Sequence, residues 1–364
     1  MQRRNPEGKE VMIMNKPLRF LLSVVTALSL LGLASCNVDA KTGKEIRDLI
    51  ETLEVGEPIC YENLTIIPIY STHIRDHRHY TTLDEALDRG WLEIGEVGGG
   101  SVPKVKVTNR SNDYIYIMGG EILTGCRQDR IVGRDVLLRP RAKNVIIPVY
   151  CVEQGRWAYE SETFYSKRNL GTSRLRAEGQ KASEDAQHDI WDRISTMCER
   201  AGLPSGTSRF QEAYESHETR RRISRVEKSM ERIPHLYPDA IGVVIGVGCH
   251  ITSVDIFANP HLFKRLWPKL VKSSALAAFC DRGYGSVTQG DAIRLLRTLH
   301  DKRYTKKSAI DLGFELSAVD HEVNVNALVY RDAVTHLAGF PEEAIDWGKR
   351  YYEDSERRIP VRRR

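Results

Sequence analysis

Signature motifs are scarce in this sequence. No Walker loop, Gly-x-Ser-x-Gly elbow or His-Glu-x-x-His pair occurs, so hydrolase readings of those classes have no local support. There is no Cys-x-x-Cys, which removes zinc and thioredoxin motifs. An excess of one charge is lacking too. The chain carries +5, but residues 1–36 hold five bases (Arg3, Arg4, Lys9, Lys16, Arg19) against two acids (Glu7, Glu10), and 49 bases and 47 acids remain beyond them. That near balance is no electrostatic footprint for nucleic acid. Arg220, Arg221 and Arg222 share a helical stretch with Glu215, Glu218 and Glu227, and read as a solvated face. No internal repeat and no low-complexity tract is visible. An apolar run of the ~20 residues that a spanning helix needs is also missing; the run Phe20–Ala34 has about 15.

What is present begins with that run. Lys16 and Arg19 precede it and small residues follow, the layout of a secretory signal, with Met14 as a more natural start than Met1. The sequence Leu33-Ala34-Ser35-Cys36 resembles the lipobox of bacterial lipoproteins. The resemblance implies lipidation of the Cys36 thiol, cleavage before Cys36, and palmitate-type acyl chains holding the mature protein on an envelope membrane. Asn37 rather than Asp follows the cysteine, which in enteric bacteria would direct the protein to the outer membrane. Six cysteines remain, Cys60, Cys126, Cys151, Cys198, Cys249 and Cys280, widely spread and expected to be mostly free and buried.

Residues 37–57 are expected to form a tether with a short helix: Thr42 and Glu45 have capping-box spacing, Ile46, Leu49, Ile50 and Leu53 recur helically, and Pro58 would end it. Residues 58–165 alternate as short strands, at Leu64–Tyr70, Leu92–Val97, Val102–Thr108, Tyr114–Met118, Ile131–Leu138 and Asn144–Val152, with a compact helix capped by Thr82 and Glu85. This predicts a mainly antiparallel, sandwich-like sheet. Residues 174–233 switch to helix, including one charged helix over about 208–232, and are either a domain boundary or an insertion over one continuous core. Residues 240–340 read as α+β: a hairpin turning at Gly248-Cys249, a helix capped by Asn259 and opened by Pro260, a helix over 290–302, and strands near 309–316, 323–330 and 334–336. The fold class is therefore α+β, followed by a basic tail over 346–364.

Three stretches carry a family resemblance: Gly119-Gly120-Glu121 through Gln128-Asp129-Arg130, Pro148 through Cys151-Val152-Glu153-Gln154-Gly155-Arg156-Trp157, and Gly242 to Leu270. Together they resemble the ARG and Rhodanese-Phosphatase-superfamily-associated protein domain, over about residues 57–345. The resemblance implies genomic company with nucleotide-related or phosphatase-like proteins, and no established activity.

The same stretches hold the candidate site. Glu121 and Glu153, at strand ends, would be an acid and base pair if their environments split their pKa values. Gln128, Arg130, Gln154 and Arg156 would hold a small anionic ligand, with Trp157 stacking on a ring. The structural alternative pairs Glu121 with Arg156 and Glu153 with Arg130 as ion pairs. His73, His77 and His79 lie around Asp76, but not at the spacing of a known zinc motif. Neither metal nor cofactor is expected. The expected function is a lipid-anchored, ligand-binding envelope domain; a hydrolase acting on a phosphoester or glycosidic bond, and a scaffold working through helix 208–232, are the alternatives.

Overall fold

The computed structural model describes residues 42–98, 103–155, 158–181, 185–203, 208–281 and 283–342. Cys36, Arg156, Trp157 and the basic tail lie outside them. Helix α1 (Lys44–Ile50) opens the described chain. The expected Thr42–Glu45 box does not form. Gly43 is the N-cap, at φ 88° and with no side-chain cap, while the Thr42 carbonyl accepts from Arg47 Nη2 at 3.0 Å. The helix stops at Ile50, not Pro58, because strand β1 (Leu53–Val55) begins there. Ile46, Ile50, Leu53 and Val55 are all buried, so from residue 44 the expected tether belongs to the core.

Strands β2 (Ile59–Tyr61), β3 (Leu64–Ser71) and β4 (Thr81–Thr82) lead to α2 (Leu83–Asp88). The α2 capping box is complete, with Thr82 and Glu85 satisfying each other's backbone N–H groups. Then follow β5 (Leu92–Glu96), β6 (Lys104–Asn109), β7 (Ile115–Ile117), β8 (Ile122–Gly125), β9 (Arg130–Val132), β10 (Val136–Leu138), β11 (Val145–Cys151), β12 (Glu153–Gln154) and β13 (Phe164–Tyr165). The strand expected over Ile131–Leu138 is two strands. The chain leaves the sheet at Gly133-Arg134-Asp135, where the Asp135 carboxylate turns inward to accept from Gly119 N at 2.7 Å.

The helical stretch comprises α3 (Ser173–Lys181), α4 (Ala186–Arg200), the short strand β14 (Ser208–Arg209), α5 (Phe210–Glu215), α6 (His217–Met230) and α7 (Ile233–Leu236). The single helix expected over 208–232 breaks at Ser216, which adopts extended backbone and caps α6 by accepting from Thr219 N at 3.2 Å. The last part holds β15 (Ala240–Val247), β16 (His250–Phe257), α8 (Pro260–Cys280), α9 (Gln289–Asp301), β17 (Thr305–Ser308), β18 (Phe314–Val319), β19 (Val323–Tyr330) and β20 (Ala333–Pro341). The strand expected near 309–316 falls on the turn between β17 and β18, in which Gly313 has φ 88°, and on the first residues of β18.

A nine-stranded sheet, in order β1-β3-β15-β16-β20-β19-β18-β17 with β2 also on β3, runs through the molecule. All of its pairings are antiparallel. Its interior strand β15 is buried at every position, which explains the unbroken run Ala-Ile-Gly-Val-Val-Ile-Gly-Val: neither face needs a polar side chain. Because β3 pairs with β15, the first and last parts of the chain share one sheet, and the helical stretch lies over it as an insertion. The described residues all fall within one unit. On one face of the sheet, Ile46, Ile50, Leu295, Leu296 and Leu299 of α1 and α9 meet Ile67, Ile69 and Val244. On the other, Leu266, Trp267 and Leu270 of α8 meet Val243, Ile245 and Phe257. A six-stranded sheet, β13-β8-β9-β11-β6-β5, with a small three-stranded sheet, β10-β7-β4, encloses a second core around Val105, Val107, Leu123, Val136 and Ile147. The fold is α+β. No helix among the described residues is long and apolar enough to cross a membrane.

Candidate functional site

Glu121 lies where these layers meet. It follows Gly119-Gly120, a turn too tight for a side chain at its second position: Gly120 has φ 101°, and a Cβ there would come within 2.4 Å of Arg176 Cγ. The Glu121 carboxylate is fully buried. It accepts from Met118 N at 2.9 Å and from Lys269 Nζ, and Lys269 also contacts Asp84 Oδ2 at 2.8 Å. Lys269 comes from α8, on a helix face otherwise occupied by Leu262, Leu266 and Ser273. Burial pushes the Glu121 carboxyl up to about 7; Lys269 works against this shift and Asp84 adds to it. Burial also opposes the charge on Lys269, but the Glu121 and Asp84 carboxylates outweigh it and hold the ammonium above its usual range.

The backbone of the same turn is shared with a second buried group. Arg176 of α3 donates from Nε to Gly119 O at 3.3 Å and places its guanidinium on Asp255, with Nη1 3.2 Å from Oδ2. His336 stands between two carboxylates, with Nδ1 2.7 Å from Asp135 Oδ2 and Nε2 3.2 Å from Asp255 Oδ1. Its ring stacks on Phe257, centroids 4.4 Å apart. Ser253 donates to Asp255 at 3.2 Å. Burial alone would raise the Asp255 carboxyl, but Arg176 and His336 hold it far below the usual carboxylate range. Burial likewise disfavours charge on His336, and the flanking Asp135 and Asp255 reverse that, raising its pKa. Tyr116, edge-on to His336, is pushed well up by burial beside Asp135 and Glu121. The turn thus joins three cations to four carboxylates, and Glu121 is the member readiest to take up a proton, which would balance the set.

Glu153 belongs elsewhere. It lies on β12, which pairs with β14, and its carboxylate faces Arg209: Oε1 is 3.1 Å from Arg209 Nε, and Oε2 accepts from Asp129 N at 3.1 Å. Arg209 also reaches Asp129 Oδ2 at 3.4 Å. Gln128 donates to Glu153 O at 3.0 Å and accepts from Arg130 Nη1 at 3.2 Å. Arg130 is fully buried and turns that nitrogen toward backbone carbonyls of residues 128 and 129. Gln154 is exposed beside the β12–β14 pair. The fold therefore gathers Gln128, Arg130 and Glu153 into one cluster and places Glu121 in another. Glu153 takes Arg209 rather than the Arg130 considered for it from sequence, and Glu121 is held by Lys269; Arg156, the cation considered for Glu121, lies outside the described residues. Asp76, amid the three histidines, is buried and bound to Tyr80 and Arg78. Among the described residues no group of three or more His, Cys, Asp or Glu is arranged to hold a metal ion.

Sequence reasoning missed Arg176, Asp255, Lys269, His336 and Arg209. A signal was present for three of them. Asp255 interrupts an apolar strand, Lys269 interrupts an apolar helix face, and His336 sits in an apolar strand; a polar group at such a position must find a partner.

The buried clusters are closed, and open space lies beside them. A cleft of about 260 Å³ is bounded by α3, α4, the β15–β16 hairpin and the end of β20. Its charged walls are Arg174, Glu178, Lys181, Arg193, Asp281 and Glu342. A smaller recess of about 60 Å³ shares Ser173, Arg174, Arg193, Thr252 and Asp281 and adds Arg200. Asp281 bridges Arg174 and Arg200, at 2.9 and 2.7 Å, and Glu178 bridges Lys181 and Arg193, at 3.3 Å each. The Phe340 ring separates the cleft from Arg176, whose guanidinium carbon lies 4.9 Å from the ring centroid. By contrast, the hollow beside His73 and Asp76 measures about 20 Å³, room for one water molecule.

Compared with the curated proteins and with the solved structures, the chain matches none of either. A family model does match, over residues 52–340, which takes in every sheet and the whole of both buried clusters. The chain belongs to the family of the ARG and Rhodanese-Phosphatase-superfamily-associated Protein domain.

Proposed function

We propose that the folded body is a binding domain for a small anion, and that an acylated Cys36 holds it on an envelope membrane. The observation that carries the first part is the cleft of about 260 Å³ and the charge on its walls. Counting the adjoining recess, the cleft is lined among the described residues by the cations Arg174, Lys181, Arg193 and Arg200 and the carboxylates Glu178, Asp281 and Glu342. Each of Asp281 and Glu178 is spread over two cations. The guanidinium groups of Arg174, Arg193 and Arg200 would meet a phosphate or carboxylate entering there bidentately. The first turn of α3, which carries no acid, opens on the same space and favours negative charge. The anchor reading is supported by the leader sequence alone.

The binding part is tested by thermal shift and calorimetry with inorganic phosphate, adenosine monophosphate and citrate. At least one should raise the melting temperature at millimolar concentration, and Arg193→Ala with Arg200→Ala should weaken that binding about tenfold or more. If none of the three shifts the unmutated protein, or the double variant binds equally well, the cleft is not the site. The anchor is tested by mass spectrometry of the protein from membrane fractions. A diacylglyceryl adduct at Cys36 is expected, and release to the soluble fraction in Cys36→Ala. An acid–base reading with Glu121 and Glu153 acting on one bond is weaker, because different cations engage the two carboxylates in different clusters.

A further inference from the structure

Two cysteines lie at the converging ends of two helices. Cys198 is in the last turn of α4 and Cys280 is the last residue of α8. The Cys280 thiol donates to Met197 O at 3.8 Å, the carbonyl of the peptide bond that leads into Cys198. Peptide geometry then places the Cys280 sulfur within about 7 Å of the Cys198 Cα. One residue past Cys280, Asp281 is clasped by Arg200, two residues past Cys198, at 2.7 Å. Both thiols are therefore held at one seam, and both belong to helix ends, where the backbone adjusts most readily. Their accessibility differs. Cys198 is buried, its sulfur 4.0 Å from Arg209 O, while Cys280 is half-buried and lines the recess that also holds Thr196, Met197 and Arg200.

We infer that Cys198 and Cys280 are a disulfide-forming pair, converted from dithiol to disulfide by exchange with an external disulfide that enters through the recess. In the first step the Cys280 thiolate attacks one sulfur of the external disulfide, forming a mixed disulfide and releasing one thiol. In the second, the Cys198 thiolate attacks the Cys280 sulfur, forming the internal bond and releasing the second thiol. The chain loses two hydrogens and two electrons, and the external disulfide gains them. Burial pushes the thiols up, Cys198 to about 11 and Cys280 to about 12. The thiolate fraction at neutral pH is accordingly small, so exchange is slow and gains about tenfold per pH unit. The inference concerns the seam alone and stands whether or not the neighbouring cleft binds an anion.

The test uses the full chain, reduced, then equilibrated with glutathione disulfide at pH 7, 8 and 9, alkylated and cut with trypsin. Residues 194–200 and 273–282 are the tryptic peptides carrying the pair. The expected product joins these two peptides with a loss of two hydrogens, and forms about tenfold faster at each higher pH, while Cys126 and Cys151 alkylate as thiols. The inference is overturned if both cysteines alkylate separately after exposed Cys60 has taken up glutathione, or if Cys280 stays a mixed disulfide that Cys198 never resolves.

Discussion

At the scale of residues, the buried charges make the protein's stability sensitive to pH, with signs that can be worked out. Glu121 has a pKa of about 7 in the folded chain against an ordinary 4.5, so the folded state holds its proton more tightly than the unfolded one. Stability is therefore lost as pH rises from 4.5 through about 7, by about 3 kcal/mol in total. His336 acts in the same direction at higher pH. Its folded pKa is raised, so its contribution is complete below 6.5 and disappears as pH climbs through the folded value. Asp255 is depressed, and its contribution is present above 3.8 and lost only in strong acid. Thermal melts across pH 3–9 should peak at mildly acidic pH, near 4–5, and decline toward 8. Glu121→Gln should flatten the decline between 4.5 and 7, and an unchanged slope in that variant would remove Glu121 as its source. Cutting the ion pair itself is a harsher change. Arg176→Met leaves the Asp255 carboxylate buried with only His336 and Ser253, and should cost about 3–5 kcal/mol in a denaturant melt.

At the scale of elements, capping shows how far local chemistry reaches. The Thr82–Glu85 box and the Asn259-Pro260 start of α8 are legible in the sequence, because their donors and acceptors lie within one turn. The Thr42–Glu45 spacing is equally good and does not form. Gly43 turns left-handed against the Tyr304 ring instead, where an added Cβ would meet Cδ2 at 2.4 Å, so a contact from 260 residues away decides that cap. The division of the Ile131–Leu138 strand has the same kind of cause. Asp135 is drawn to Gly119 and His336, neither of which is near it in sequence. The site was legible to a similar degree. Glu121 and Glu153 stood out as carboxylates at strand ends, but their cations come from α8 and β14, and no spacing rule connects those elements. Asn259 offers a clean element-level test. It caps α8 through Leu262 N at 3.0 Å and also donates to the carbonyls of Asp76 and Arg78, tying the histidine-bearing loop to the helix. Asn259→Ala should destabilise by about 1–2 kcal/mol, and hydrogen exchange should speed up in both the first turn of α8 and residues 76–80. Faster exchange in the helix alone would show that the loop does not depend on this side chain.

At the scale of the whole molecule, the pairing that joins the first and last parts of the chain is between β3 and β15, strands about 175 residues apart. With β15 absent, β3 keeps only the short β1 and β2 along one side and leaves the other side unsatisfied. A fragment ending before residue 233 should therefore fail to fold, giving poor near-ultraviolet dichroism and aggregation, although it contains the complete six-stranded sheet. Contacts this distant also slow folding, since loop closure must precede the gain from pairing. The same order governs synthesis: the strand that completes the sheet beside β3 leaves the ribosome late, so the leading portion of the polypeptide stays open to chaperones until residue 247 has emerged.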